Sequence, residues 1–351
     1  MYDFSLEWGK KRIAVGKDHK ILVNQLIGSN GSIGYEESII KINMWDFEKN
    51  TPDIITDVSI GESELWKHIL EKEKYIACTV PIYAFCSEEY IDENVLIRSI
   101  ENQLSEGVRI ITIHCTPTRE LVSMSKSRIV PCTSRGGSIV IQDMMRNKKD
   151  SNIYLSCLDE IINICSKYNA AISIGTSFRP ANVIDSLDDT QLTELKIQED
   201  LAQYIWGKGV NVILEMPGHM SPQKIASLND ILKDNLFPIM PLGPVVTDIG
   251  AGKDHITSAI GLTLLGMKGN VQIISAMTRE EHTGNIPSIE STKEAVEVAH
   301  MVAHIIEMDR FNDYSEDLAI AYSRKYSCVS NSSVNCNRCG DVCPLNMYKH
   351  P

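Results

Sequence analysis

From Asp53 onward the chain repeats one unit. A short apolar run rich in β-branched residues ends in polar or glycine residues, and a longer stretch follows. The short runs are 54–58, 75–80, 109–113, 171–174, 210–214, 237–240 and 272–275. Continuous apolar runs of this length fit strands buried on both faces, as in parallel sheets. Between them, residues 91–105, 154–168, 190–206, 223–236 and 293–308 carry apolar positions at helical spacing. Seven strands alternating with helices predict an α/β fold, a (β/α)8 TIM-like barrel, with an open doubly wound sheet as the alternative. The eighth strand is expected in 138–142 or in the first fifty residues, where 23–30 reads as a short strand entering a polar turn. The expected organisation is an N-terminal segment 1–50, a barrel 51–310, and a C-terminal helix with a flexible cysteine-motif tail 311–351.

The chemically distinctive residues cluster just after the strands. They include Asp57, Pro81-Ile82-Tyr83, His114-Cys115-Thr116, Phe178-Arg179-Pro180, Glu215-Met216-Pro217-Gly218-His219, Leu242-Gly243-Pro244, Thr247-Asp248-Ile249 and the stretch from Met277 to His282. In a (β/α)8 barrel all these ends share one rim, where active sites are built. His114, His219, His255 and His282 are all expected there, and His219 with His282 can hold a divalent metal that leaves positions open. His300 and His304, four apart on a helix, read as surface or packing residues. In Cys132-Thr133-Ser134-Arg135-Gly136-Gly137-Ser138, glycines let N–H groups approach an anion and the arginine adds a planar fork of donors. Arg179 is a second anion candidate; the alternative for both arginines is an internal ion pair. Residues 246–261 are glycine-rich and open a helix that Asp254 or Thr257 can cap. They lack the spacing of a nucleotide-binding P-loop.

The tail Cys336-Asn337-Arg338-Cys339-Gly340-Asp341-Val342-Cys343 brings three thiols into eight residues. Three thiolates can hold a [4Fe–4S] cluster with one iron open to substrate. The alternatives are zinc with Cys328 or His350 as fourth ligand, and a disulfide with one spare thiol. Residues 1–11 have no apolar signal core, and no apolar run is long enough to span a bilayer. The chain is therefore expected to be cytoplasmic, with its 10 cysteines reduced. Cys78, Cys86, Cys157 and Cys165 read as small buried hydrophobes. A net charge of −12 argues against nonspecific nucleic-acid binding. It leaves room for an anionic small substrate held by local arginines.

Together these motifs resemble the phosphomethylpyrimidine synthase (ThiC) family and its paralogue, 5-hydroxybenzimidazole synthase of anaerobic cobalamin biosynthesis. The segments that carry the resemblance are 79–83, 112–114, 134–138, 217–219, 242–244, 247–249 and 254–261, with Glu281-His282. The resemblance implies a barrel, a homodimer or a heterodimer with a paralogue, and a radical-SAM lyase. It implies a [4Fe–4S] cluster on Cys336, Cys339 and Cys343, which cleaves S-adenosyl-L-methionine (SAM) reductively. The resulting radical starts the rearrangement of 5-aminoimidazole ribotide, and an electron donor such as ferredoxin or flavodoxin supplies the reductant. The resemblance assigns a second metal, zinc or iron, to His219 and His282. It assigns substrate contacts to Tyr83, His114, Ser134, Arg135, Gly136, Gly137, Arg179 and Glu215.

The chain departs from the family at four points. Three residues separate Cys339 from Cys343, where the family has four. Thr176 replaces a pocket carboxylate, Leu26 an asparagine and Met240 a tyrosine. These changes remove polar partners from a polar pocket. They point to 5-hydroxybenzimidazole as product. The thiamine pyrimidine phosphate, a non-catalytic partner subunit, and a zinc-tailed hydrolase using His219 and His282 are the alternatives.

Overall fold

The computed structural model describes residues 2–61, 63–324, 327–329, 336 and 338–349. Its strands are β1 (Phe4–Trp8), β2 (Lys11–Val15), β3 (Leu22–Ile27), β4 (Ile54–Asp57), β5 (Ile76–Thr79), β6 (Ile110–Ile113), β7 (Ala171–Ile174), β8 (Val212–His219), β9 (Ile239–Val245) and β10 (Ile273–Ala276). Its helices are α1 (Tyr35–Met44), α2 (Leu65–Glu71), α3 (Glu93–Glu106), α4 (Arg119–Ser125), α5 (Arg135–Arg146), α6 (Ile153–Ser156), α7 (Leu158–Lys167), α8 (Asp189–Gly207), α9 (Pro222–Ile231), α10 (Asp254–Gly266), α11 (Ile289–Phe311), α12 (Ser315–Ser323) and α13 (Asn346–Lys349).

Eight parallel strands run in the order β10-β3-β4-β5-β6-β7-β8-β9, the sheet of a (β/α)8 barrel. All seven expected strands form. The eighth is β3, from the first fifty residues. The other candidate, 138–142, lies inside helix α5. The seam between β9 and β10 is bridged by Gln272, whose main-chain N–H donates to Ile239 O at 3.1 Å and whose Oε1 accepts from Ile239 N–H at 2.8 Å. The expected helix over 154–168 is two helices, broken at Cys157. The Asn152 side chain accepts from Leu155 N–H and starts the first of them.

Alternate residues of each strand face the barrel interior. At the N-terminal end these are Leu22, Ile54, Ile76, Ile110, Ala171, Ile213 and Ile273, packed in one cluster with Leu6, Ile13 and Val15 of the β1–β2 hairpin. The antiparallel hairpin thus plugs the barrel floor, an element that the period of the chain does not announce. Two residues further along the strands the interior turns polar. Asn24, Thr56, Thr112, Ser173, Glu215 and Ser275 are all buried. Val23, Ile55, Ala77, Ile111, Ile172, Val212 and Ile274 point the other way and pack in the larger cluster with the helices.

Two compact units divide the chain, Met1–Ile306 and Glu307–Pro351. The second holds the end of α11, then α12, a 3-10 turn over Gly340–Val342, and α13. No helix among the described residues is long and apolar enough to cross a membrane. Cys78, Cys157 and Cys165 are buried as expected, but Cys86 is exposed, because it follows the short 3-10 turn Pro81–Phe85 rather than a core strand.

Leu6 is fully buried in the floor cluster. Replacing it with alanine is expected to lower the unfolding free energy by about 2–5 kcal/mol, measured by urea titration. A smaller loss than replacement of a surface leucine would show that the hairpin does not seal the floor.

Candidate active site

The strand ends open into a cavity of about 570 Å³. Tyr83, His114, Ser134, Arg135, Arg179, Glu215, His219 and His282 all line it, as do Leu26 and Met240. Two groupings of side chains face into it.

The first is an anion corner at the start of α5. Ser134 caps this helix, its Oγ accepting from Gly137 N–H at 3.0 Å. The first-turn N–H groups of a helix have no internal carbonyl partner and carry partial positive charge, so this end favours an anion. Arg135 lies over the Tyr83 ring, 5.2 Å from its centroid. Gly136 and Gly137 do not line the cavity; they let α5 approach it. A Cβ on Gly136 would come within 2.3 Å of the His114 ring, and one on Gly137 within 2.7 Å of Ser177. Gly175 packs on the same imidazole, where a Cβ would sit 2.8 Å from Nε2. His114 is thus held between two glycines. Burial, and secondarily the Arg179 charge, pushes its pKa down to about 3, so the ring is neutral.

Arg179 sits on a turn clamped from both sides. Glu194, fully buried on α8, accepts from Ser177 N–H at 2.7 Å, Phe178 N–H at 2.8 Å and Thr116 Oγ1 at 2.6 Å. Arg128 donates to Phe178 O at 2.6 Å and forks onto Asp188 at 2.7 and 2.6 Å. Arg179 itself donates to Thr176 O at 3.1 Å. Glu215 accepts from Thr176 N–H at 3.2 Å. Burial raises the pKa of Glu215, and Arg179 opposes that shift. The His114 Nδ1 and the Thr176 Oγ1 are buried without a protein partner, so both have hydrogen-bonding capacity to spare.

The second grouping is a histidine pair that lines the same cavity. His219 Nε2 and His282 Nε2 face each other at 2.9 Å, with their rings crossed at 78°. Asp248 Oδ1 stands 2.8 Å from His219 Nδ1, and Asp254 Oδ1 stands 2.7 Å from His282 Nδ1. Ionised carboxylates only accept, so each takes the Nδ1–H and leaves a lone pair on Nε2. Two lone pairs would then point at each other across 2.9 Å, which is repulsive unless a proton or a metal ion lies between them. Burial lowers the pKa of His219, and the bond to Asp248 opposes that shift. A divalent ion bound at ~2.0–2.1 Å from each nitrogen needs only a slightly wider gap. Carboxylates behind metal-binding imidazoles are the usual orienting partners. Among the described residues no three His, Cys, Asp or Glu side chains form a metal cluster.

Sequence reasoning missed Asp248 and Asp254 as partners of the histidines, although both lie in segments it singled out. The helix α10 is not capped by either Asp254 or Thr257; its N-cap is Lys253, and Asp254 is turned to His282. His255 lies on α10 and does not line the cavity; its Nε2 is 3.9 Å from Glu294. His300 has the expected packing role, its Nε2 lying 2.9 Å from Thr51 O. In the second unit, Cys339 and Cys343 flank the 3-10 turn, Cys336 is exposed, and all ten cysteines are free thiols. Cys328 is exposed, and His350 lies outside the described residues.

Residues 5–331 match the model of the Radical SAM ThiC family. The chain belongs to that family. It is 30% identical to phosphomethylpyrimidine synthase of Carboxydothermus hydrogenoformans over 94% of this chain and 85% of that protein. It is 34% identical to the protein of that name from Clostridium acetobutylicum over 84% and 72%, and 31% identical to that from Archaeoglobus fulgidus over 96% and 86%. Membership in the ThiC family makes this a radical-SAM enzyme and implies a [4Fe–4S] cluster and SAM. The family match ends before Cys336, so the three-cysteine tail lies beyond it.

The neutral His114 has a measurable consequence. The unfolded chain takes up a proton on this ring below its ordinary value of 6.5, and the folded chain refuses it down to about 3. Stability contributed at neutral pH is therefore lost as the pH falls through that window, by up to about 1.4 kcal/mol per pH unit. Urea unfolding followed from neutral to acid pH should show this slope, and His114→Asn should flatten it. Equal slopes in the two proteins would mean that the ring is protonated in the fold.

Proposed function

We propose that the protein is a radical-SAM carbon–carbon lyase that rearranges a phosphorylated imidazole ribotide, 5-aminoimidazole ribotide. The observation that carries this reading is the single cavity in which an anion corner faces a carboxylate-backed histidine pair. The α5 N-terminus with Arg135 and Arg179 would take the phosphate, because first-turn N–H groups and guanidinium forks both match its oxygens. His114, neutral and with Nδ1 free, would hydrogen-bond the substrate without adding charge. Glu215, whose carboxyl is pushed toward its neutral form, would hold or move a proton beside the ring. His219 and His282 would hold a divalent metal, zinc or iron, whose remaining positions are left to SAM or water.

Cys336, Cys339 and Cys343 would hold the [4Fe–4S] cluster. Three free thiols are the donor set that such a cluster needs when one iron is left open. When bound, that group supplies the electron that splits SAM, delivered by a donor of the ferredoxin or flavodoxin class. The names of the relatives support the thiamine pyrimidine phosphate as product. A second reading, 5-hydroxybenzimidazole, is favoured by Leu26 and Met240, which put apolar surface on a cavity wall where the family carries an amide and a phenol.

Anaerobic incubation of the reconstituted full chain with SAM, a reductant and the ribotide is expected to release 5′-deoxyadenosine. Mass spectrometry of the second product separates the pyrimidine phosphate from the hydroxybenzimidazole. No 5′-deoxyadenosine from protein with a full complement of iron and sulfide would defeat the proposal. Arg179→Gln is expected to raise KM for the ribotide by roughly 10- to 100-fold, the loss of one charge-assisted contact. An unchanged KM would remove Arg179 from the phosphate site.

A further inference from the structure

The two carboxylates behind the histidine pair are not equivalent. Asp254 is buried, and its contacts stay on one side of the site. Its Oδ1 holds His282 Nδ1, and its Oδ2 accepts from His282 N–H at 3.4 Å and Gly252 N–H at 3.3 Å. Asp248 is exposed and divides its oxygens between the two groupings. Oδ1 holds His219 Nδ1 at 2.8 Å, while Oδ2 accepts from Val183 N–H at 3.0 Å. Val183 lies on the segment that follows Arg179. His219 and this segment meet a second time, where His219 N–H donates to Pro180 O at 2.9 Å. Gly218 makes that approach possible, since a Cβ there would come within 2.5 Å of Pro180 O. The Arg179 segment is thus pinned upstream by Glu194 and Arg128 and downstream by Asp248, with the guanidinium between the pins.

We infer that Asp248 is a positioning residue that couples the anion corner to the histidine pair. The segment already stands where Val183 N–H meets Oδ2, and an anion drawn onto Arg179 holds it there against local opening. That orients Asp248, and Asp248 orients His219 Nε2 toward the ion it shares with His282. The linkage is reciprocal: a metal on the pair tightens anion binding by the same factor as the anion tightens the metal. Substrate and metal therefore load together. This inference rests on the two-histidine metal site proposed above.

The test titrates zinc into the full chain by calorimetry, with and without saturating ribose 5-phosphate. In the wild-type protein the phosphate compound should tighten zinc by about 5-fold or more, the lower end of usual coupling. Asp254→Asn should weaken zinc by about 10- to 100-fold, as loss of an orienting partner does, yet keep the phosphate effect. Asp248→Asn should weaken zinc and lose the phosphate effect. Val183→Pro deletes the donor to Oδ2 without touching either histidine; it should also lose the effect, and it serves if Asp248→Asn does not fold. A phosphate effect that survives in Asp248→Asn and Val183→Pro, or is absent from the wild type, overturns the coupling while leaving the metal site standing. No zinc binding by the wild type would instead overturn the metal site, and the coupling with it.

Discussion

The barrel closes where β9 meets β10, and the site exists only because it does. Gln272 spans the seam with its main chain and its side-chain amide, both directed to Ile239. Removing the amide would leave the buried Ile239 N–H without a partner, at a cost of about 1–3 kcal/mol. The two imidazoles approach each other across this part of the ring. His219 ends β8, Asp248 follows β9, and His282 follows β10. Met240 reaches across the interior to Asn24, whose amide lies 3.5 Å from its sulfur. An open sheet with the same strands would keep every residue and lose these pairings.

Within the closed ring, burial decides the charges. The interior steps from aliphatic side chains at the floor to hydroxyls, an amide and a carboxylate one layer up. A carboxylate at that depth resists ionisation unless a cation stands near, and Arg179 stands near Glu215. An imidazole between two glycines and close to the same arginine stays neutral. The mouth works in the opposite sense. Two carboxylates back two imidazoles, so the local balance is negative and calls for a cation. A guanidinium corner and a carboxylate-backed imidazole pair thus share one cavity of a protein whose net charge is −12.

The strands were legible because both faces of each are covered, so they read as unbroken apolar runs. The rim residues were legible because polar groups recurred at one topological position. Residues 138–142 misled for a local reason. Ser-Ile-Val-Ile-Gln has strand composition, but Ser134 caps a helix four residues earlier, and Gly136 and Gly137 dock that helix on His114 and Ser177. The β1–β2 hairpin went unread because only Leu6, Ile13 and Val15 of its residues face the barrel floor as buried hydrophobes. Asp248 and Asp254 went unread because an acid beside a turn or at a helix start is the ordinary sign of a cap. Nothing in one chain distinguishes a capping carboxylate from one that orients an imidazole.

The pairing of β3 with β10 also dictates a schedule. The first barrel strand emerges from the ribosome some 250 residues before its last neighbour, since β3 ends at Ile27 and β10 begins at Ile273. Until then β3 can pair on one side only, and unpaired edges of nascent sheets invite association with other chains. The β1–β2 hairpin precedes β3 in the chain, and in the folded protein it packs on the aliphatic ends of the strands. The plug that seals the finished floor thus precedes in the chain every strand that it seals.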